Sequence, residues 1–486
     1  MAKNALNNTI LYGIGSLIKA CASFFLLPLY TSILGATQYG QLNVLQTTSI
    51  IISTIITLAL ERSIYRLYHD YKTEEGKVQF ISTVFIAINC IGLVVVLLFL
   101  VFGSYLTQYL GDVEFTTGLL PVVLYSYINA LIGYCQIIMQ TKQEGTKYLF
   151  VSILFVILYN VFCITLLYLY SPTYHSVVYA TLLTTIVVFP VSFSIVRKQI
   201  GLFFSKVIMK EVFAYTTPLL GMILFAWILN FSDRLFLANL TNLRDVGLYS
   251  FAAKIVSIVP LFCGAIFQSY TPYFFNIANT MEEKQAKKKL KPINDTITFL
   301  ICLICIGMAF AYNFFLRIFI SDEYLSSIDF FYFLLIGALI GQQTGILNVM
   351  LYQNKKTSRL ASVSITSGVL SVILNFILIT TIGRIGAAIS NLIVSSFLVS
   401  VTYILARKEY FIPFNFLHLA CGIGAIVLMS GCDHFISDIV LQTTIKIIIV
   451  LTILFLIYKA KMFDFFVLKM IATGALNKVK CIIIKK

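Results

Sequence analysis

What this 486-residue chain lacks is charge. Asp, Glu, Lys and Arg make up 11% of it, against about 25% in an ordinary soluble domain. Hydrophobic residues make up 59%. No soluble core has room for so much apolar side chain, so the chain is read as an all-α polytopic membrane protein. The net charge of +15 would suit a nucleic-acid binder, but the basic residues fall between long apolar runs, and no nucleic-acid partner is expected. A second Cys/His pair is also missing. Ten cysteines are present, most of them inside apolar runs. Cys302 and Cys305 have the spacing of a metal or redox motif, but nothing accompanies them, so they read as small apolar filler. No metal and no cofactor is expected. A cleavage site is missing too: the first apolar run, from about Thr9 to Tyr30, is too long for a signal-peptide core and is not followed by a small-residue site.

What the chain has is apolar runs of spanning length. A transmembrane helix needs about 20 mainly apolar residues. Fourteen stretches qualify, at about 9–30, 39–60, 80–102, 117–138, 148–170, 174–196, 213–239, 246–275, 293–317, 328–352, 360–381, 385–406, 415–435 and 440–458. With the N-terminus in the cytoplasm, 28 of the 35 Lys and Arg fall in cytoplasmic segments, three (Arg244, Arg317, Arg384) in external ones and four inside spans. That asymmetry is a strong positive-inside signal. It predicts an even number of spans and two cytoplasmic termini. The run "KQAKKKLK", Lys284 to Lys291, reads as part of this signal or as a patch for a partner or anionic lipid.

The chain echoes itself. "LGATQYGQL" (Leu34–Leu42) leads from span 1 into span 2, and "LTNLRDVGLYS" (Leu240–Ser250) leads from span 7 into span 8. "MQTKQEGTKYLF" and "LYQNKKTSRLAS" each begin at the end of a fourth span, and each precedes a helix carrying an Asn, Asn160 or Asn375. The expected organisation is a six-helix bundle over 1–200, a second over 201–410, and two further helices with a basic cytoplasmic tail over 411–486. Six is even, so the copies are parallel repeats, an arrangement in which transporters bind substrate between the halves.

Four basic groups, Lys19, Arg234, Lys254 and Lys446, stand inside the spans, and the acidic Asp233 with them. Each costs about 2.5–3.5 kcal/mol at a helix centre on insertion scales, and an intramembrane charge is by default a functional-site candidate. Asp233 and Arg234 are adjacent, so they point about 100° apart on a helix and read as poor partners for each other. Asp233 needs a partner from another helix or a wet cavity, and Lys254 matches it in depth. Lys19, Arg234 and Lys254 are the candidate substrate-binding residues, since three cations against one anion attract an anionic ligand. Asp233 is either an ion-coupling group or one half of a structural salt bridge. Lys446 lies near an interface and is expected to snorkel. Uncharged polar groups also recur in the spans, Asn43, Gln136 and Gln343 among them, as interhelical glue or as contacts for sugar hydroxyls.

Three stretches carry a family resemblance. "SDRLFLANLTNLRDVGLYSFAAKI", "PLYTSILGATQYGQLNVLQT" and "YQNKKTSRLASVSITSGVLSVILNFILITTIGRIGAAISNLIV" resemble corresponding regions of Wzx-type polysaccharide and O-antigen flippases. These belong to the multidrug/oligosaccharidyl-lipid/polysaccharide exporter superfamily, and the matches extend over most of residues 8–406. The resemblance implies two six-helix bundles around a central cavity. It implies undecaprenyl-diphosphate-linked oligosaccharide as substrate, moved from the cytoplasmic to the external leaflet of the bacterial cytoplasmic membrane by alternating access, with proton or sodium antiport. It places membrane lipids, a polysaccharide polymerase and a chain-length regulator among the candidate partners. Fourteen spans exceed the twelve usual for many O-antigen flippases, which brings the lipid II flippases closer.

Other functions fit less well. A drug exporter of the same superfamily would favour carboxylates in its cavity, and this chain offers mainly Lys and Arg. A polysaccharide polymerase or membrane acyltransferase needs catalytic groups on a sizeable loop. The external loops are short, and the acid/base pair His434 and Asp438 in "CDHFISD", which could meet on a helical turn, has no nucleophile or metal set. The chain is therefore not read as an enzyme. A purely structural scaffold explains neither the repeat nor the buried cations.

Overall fold

The computed structural model describes residues 2–459 except 112, 355, 356, 414, 415 and 437. The basic tail beyond Lys459, with Lys355 and Lys356, lies outside the described residues. All the regular structure described is helical. The helices are α1 (Ala2–Phe25), α2 (Gly35–Thr57), α3 (Glu74–Leu106), α4 (Leu120–Thr141), α5 (Gly145–Leu169), α6 (Tyr174–Val196) and α7 (Lys206–Leu240). They continue with α8 (Leu243–Thr280), α9 (Glu283–Phe319) and α10 (Asp322–Gln353). The last four are α11 (Thr357–Ile382), α12 (Arg384–Arg407), α13 (Phe416–Phe435) and α14 (Ile439–Lys459). Each of the fourteen predicted spans falls on one of them. Among the described residues, eleven helices are long and apolar enough to cross a membrane, or twelve when α2 is joined to the segment Leu60–Asp70, which bends away from it by 62°.

Local chemistry sets the ends. Pro28 opens a short helix, Leu27–Ile33, after α1, because proline has no N–H to continue the ladder. Thr73 caps α3 by accepting from Gly76 N at 3.1 Å, and Glu74 and Glu75 fill the first turn, where the helix dipole favours negative charge. Helix α9 starts ten residues before its apolar run, at Glu283, because Lys and Glu are good helix formers in water; Glu283 and Lys287 pair at 2.5 Å across one turn. The bend after α2 is made by Leu58 and Ala59 at φ 44° and 58°, a left-handed conformation that is uncommon for residues with a Cβ.

The chain divides into two compact units, Met1–Ser250 and Phe251–Lys486, with the boundary inside α8. In the first, α4 packs on α6, α5 on α6 and on α1, and α2 on α4 and α7. In the second, α10 packs on α12, α11 on α12, α9 on α13, and α13 on α14. Fourth-on-sixth and fifth-on-sixth packing thus recurs, counting α10 to α12 as the second set. Along α3, Leu93, Val94, Leu97, Leu98, Val101 and Phe102 are all exposed, the apolar outer face that a lipid solvent requires. Toward the cytoplasmic end predicted from the charges, the Tyr71 hydroxyl donates to Glu211 Oε2 at 3.0 Å. Burial, and then the Glu211 carboxylate, push Tyr71 up to about 12, so it stays a donor at any physiological pH.

One approach in the first unit is unusually close. A Cβ added to Gly40 would lie 1.9 Å from the Leu243 carbonyl oxygen, and one added to Gly247 would lie 1.8 Å from that of Ala36. Only glycine at both positions lets α2 and the start of α8 touch backbone to backbone. These are the glycines of the two echoing motifs.

Candidate functional site

The polar turn between α7 and α8 registers the first cluster. Asn242 Oδ1 accepts from Asp245 N at 2.8 Å, and Asp245 Oδ2 accepts from Asn242 Nδ2 at 3.1 Å. Asn242 thus acts as the N-cap, its side-chain amide held by Asp245, so α8 starts at once and runs back beside α7. Asp233 lies seven residues before the end of α7 and Tyr249 six residues into α8, which is about 10 Å from the turn on either helix at 1.5 Å per residue. They meet: the Tyr249 hydroxyl donates to Asp233 Oδ2 at 2.5 Å. Tyr249 is fully buried and Asp233 is 7% exposed.

Asp233 and Arg234 do pair, contrary to the sequence expectation. Arg234 Nη1 lies 2.9 Å from Asp233 Oδ1 and also donates to the Asn230 carbonyl at 2.8 Å. The guanidinium stem is long enough to curl across the 100° that separates the two Cβ directions. Its face also rests near the rings of Phe231 and Tyr249, at 5.4 and 5.9 Å, within cation–π range. Both carboxylate oxygens of Asp233 are thus engaged, and Arg234 is neutralised where it stands. Nearby, Trp227 Nε1 donates to the Thr47 carbonyl at 3.3 Å and ties α7 to α2.

Lys19 has a different setting. Its Nζ donates to Gln136 Oε1 on α4 at 3.1 Å and stands 5.9 and 5.8 Å from the rings of Tyr148 and Phe155 on α5. No carboxylate pairs with it among the described residues. Gln136 Nε2 is buried and without a hydrogen-bond partner. An ammonium with no carboxylate partner, beside an orphaned amide donor and walled by aromatic rings, is a setting for an anionic or hydroxyl-rich ligand. Lys19 and the Asp233–Arg234 pair have separate partners within the first unit. Lys254, the cation matched to Asp233 by depth, is half-buried and belongs to the second unit.

Two other expectations change. Lys446 does not snorkel. It is 3% exposed and pairs with Asp433 Oδ1 at 2.6 Å, because α14 turns that face onto α13. His434 and Asp438 do not form a pair. His434 Nε2 lies 3.6 Å from Asp329 Oδ1 on α10, and Asp438 Oδ1 accepts from Val440 N at 2.8 Å as the cap of α14. Cys302 and Cys305 are buried thiols, and no group of metal-ligating side chains occurs among the described residues. The sequence reading missed Tyr249 as the partner of Asp233, although it stands two helical turns into the quoted "LRDVGLYS" motif.

A family model described as polysaccharide biosynthesis protein matches residues 5–278. A Haemophilus influenzae protein of the Lsg locus is 22% identical over 281 residues, 55% of this chain and 65% of that one. A membrane protein of the same organism is 23% identical over 296 residues, 60% of this chain and 68% of that one. The chain thus spans about two thirds of the length of these relatives. The lipid II flippase MurJ in an inward closed conformation superposes with a TM-score of 0.71 at 17% identity, covering 91% of this chain and 99% of that one. An inward-facing multidrug resistance MATE transporter gives 0.65 at 14% identity, over 81% and 94%. The MATE multidrug transporter DinF-BH gives 0.61 at 15% identity, over 84% and 96%. At these identities the likeness is one of fold. The family match takes in Lys19, Gln136, Asp233, Arg234 and Tyr249 alike, and it leads to one conclusion: the chain belongs to the polysaccharide biosynthesis protein family.

Proposed function

We propose that this protein is a flippase for undecaprenyl-diphosphate-linked oligosaccharide. It moves the repeat unit from the cytoplasmic to the external leaflet of the bacterial cytoplasmic membrane by alternating access between two six-helix halves. The observation that carries the reading is the family match over residues 5–278, within which Lys19 stands without a carboxylate among the described residues. Lys19 and the free Gln136 donor bind the diphosphate. Arg234 adds to that site when its hold on Asp233 loosens, and Lys254 is a further anion-binding cation on α8. Asp233 is the group through which a proton or sodium gradient couples to transport. The recurring helix pairing in the two units supports a division into parallel repeats.

Deletion of the gene tests this. Lipid-linked repeat units should accumulate on the cytoplasmic leaflet, and surface polymer should be lost. If single repeat units reach the surface unpolymerised, the protein is a polymerase instead. The similarity to the lipid II flippase supports a second reading, separated by substrate: in proteoliposomes, a lipid II flippase translocates lipid II rather than the lipid-linked oligosaccharide.

A further inference from the structure

The second unit holds a buried charged cluster that the proposed transport site does not use. It forms where α9, α10, α13 and α14 meet. Lys446 and Asp433 have side-chain exposures of 3% and 0%. Asp433 Oδ1 also accepts from Asn313 Nδ2 at 3.1 Å, and its Oδ2 accepts from the Tyr332 hydroxyl. Asn313 Nδ2 reaches Gln442 Oε1 at 2.9 Å, and Asn313 Oδ1 accepts from Arg317 Nε at 3.1 Å. Asp433 and Lys446 cancel each other. Arg317 has only an amide oxygen, and no carboxylate pairs with it among the described residues. The buried part of the cluster is therefore neutral, and Arg317, exposed at its edge, adds one positive charge with its terminal guanidinium nitrogens unused.

Beside the cluster lies a cavity of about 310 Å³ lined by Phe310, Asn313, Phe314, Arg317, Gln442 and Lys446, with Ile318 at its edge. Phe314 and Ile318 are 61% and 54% exposed. They belong to the apolar flank of α9, so the solvent this cavity faces is lipid. Arg317 stands two residues before the end of α9, about 3 Å along the axis, which puts its head near the level of lipid phosphates. The charge distribution assigns this end to the outer leaflet.

We propose that this cavity binds an anionic glycerophospholipid. Its phosphodiester oxygens accept from the free nitrogens of Arg317, whose planar fork matches phosphate geometry, and the start of an acyl chain lies over Phe310, Phe314 and Ile318. Three features select this ligand. One net cation matches a monoanionic diester better than a diphosphate. The apolar wall is wasted on a soluble anion. The cavity holds a headgroup and glycerol but not a sugar repeat. The proposal does not depend on which glycan, if any, the protein moves.

Native mass spectrometry of the purified full-length protein tests it, with phosphatidylglycerol and phosphatidylcholine as probes. Wild type should retain phosphatidylglycerol in preference, and Arg317→Gln should bind it about tenfold more weakly, with Arg317→Lys between. Phe314→Trp fills the cavity without touching the polar cluster. It should also release the lipid, and it decides the matter if Arg317→Gln fails to fold. Equal retention of the two lipids by wild type, or unchanged retention by Phe314→Trp, overturns the proposal. So does displacement of phosphatidylglycerol by inorganic phosphate, which would mark a soluble-anion site, or by undecaprenyl diphosphate, which would mark a substrate site.

Discussion

A carboxylate and a guanidinium persist side by side in α7 because each lowers the cost of the other. Asp233 accepts from Arg234 and from Tyr249, and Arg234 also reaches the Asn230 carbonyl. Loss of the hydroxyl in Tyr249→Phe removes one hydrogen bond to a charged group, which costs about 1.5–3 kcal/mol and should lower the thermal midpoint of the detergent-purified protein. Asp233→Asn keeps an acceptor for Tyr249 but leaves Arg234 uncompensated. It should lower the thermal midpoint yet still reach the membrane, and transport with its ion or pH dependence lost; abundance that collapses instead marks the residue as structural. Arg234→Lys should retain more transport than Arg234→Gln, and Lys19→Gln should impair transport at unchanged abundance. Wild-type rates for both Gln variants, measured as leaflet exchange of lipid-linked glycan, would end the cation-site reading. The sequence made these residues visible because a charge in an apolar run has no ordinary reason to be there. It hid their partners. Direction at the Cβ says little about where a long guanidinium ends, and a tyrosine in a polar motif does not announce which carboxylate it will meet.

Whole helices were easier to read than their faces. The apolar runs fell on helices in all fourteen cases, of which eleven or twelve are long and apolar enough to cross a membrane among the described residues, since spanning length is a one-dimensional property. The ends extended further, as in α9, because helix propensity continues beyond the hydrocarbon. What the runs concealed is which side of α14 packs inward. Lys446 stands seven residues into that helix, where snorkelling is the cheaper default, but α13 presents Asp433 to it. The pair fastens the last two helices to each other. Breaking a buried ion pair from one side costs about 3–5 kcal/mol, while removing both charges is often neutral. Lys446→Met alone should therefore lower the unfolding midpoint sharply, and Asp433→Asn combined with Lys446→Met should recover most of the loss in the same thermal scan. Equal loss in the single and double variants would mean that the ion pair contributes nothing to holding α13 and α14.

At the scale of the chain, the charge bias is the most informative feature, with 28 of 35 basic residues on one predicted side. It predicts that reporters fused at Lys3 and at Lys486 both report cytoplasm; an external signal at either end removes the even span count and the sidedness inferred from it. The division between compact units was not visible in composition. The repeat suggested a boundary near residue 200, while the contacts close the first unit only at Ser250. The backbone contact of Gly40 with the start of α8 shows what this implies for biosynthesis. The two glycines are separated by about 200 residues of chain, and a ribosome adds about 5–20 residues per second. For about 10–40 s after α2 has emerged, its glycine notch has no partner, and the nascent bundle must wait in the bilayer, shielded by lipid or by the insertion machinery, for the helix that completes it.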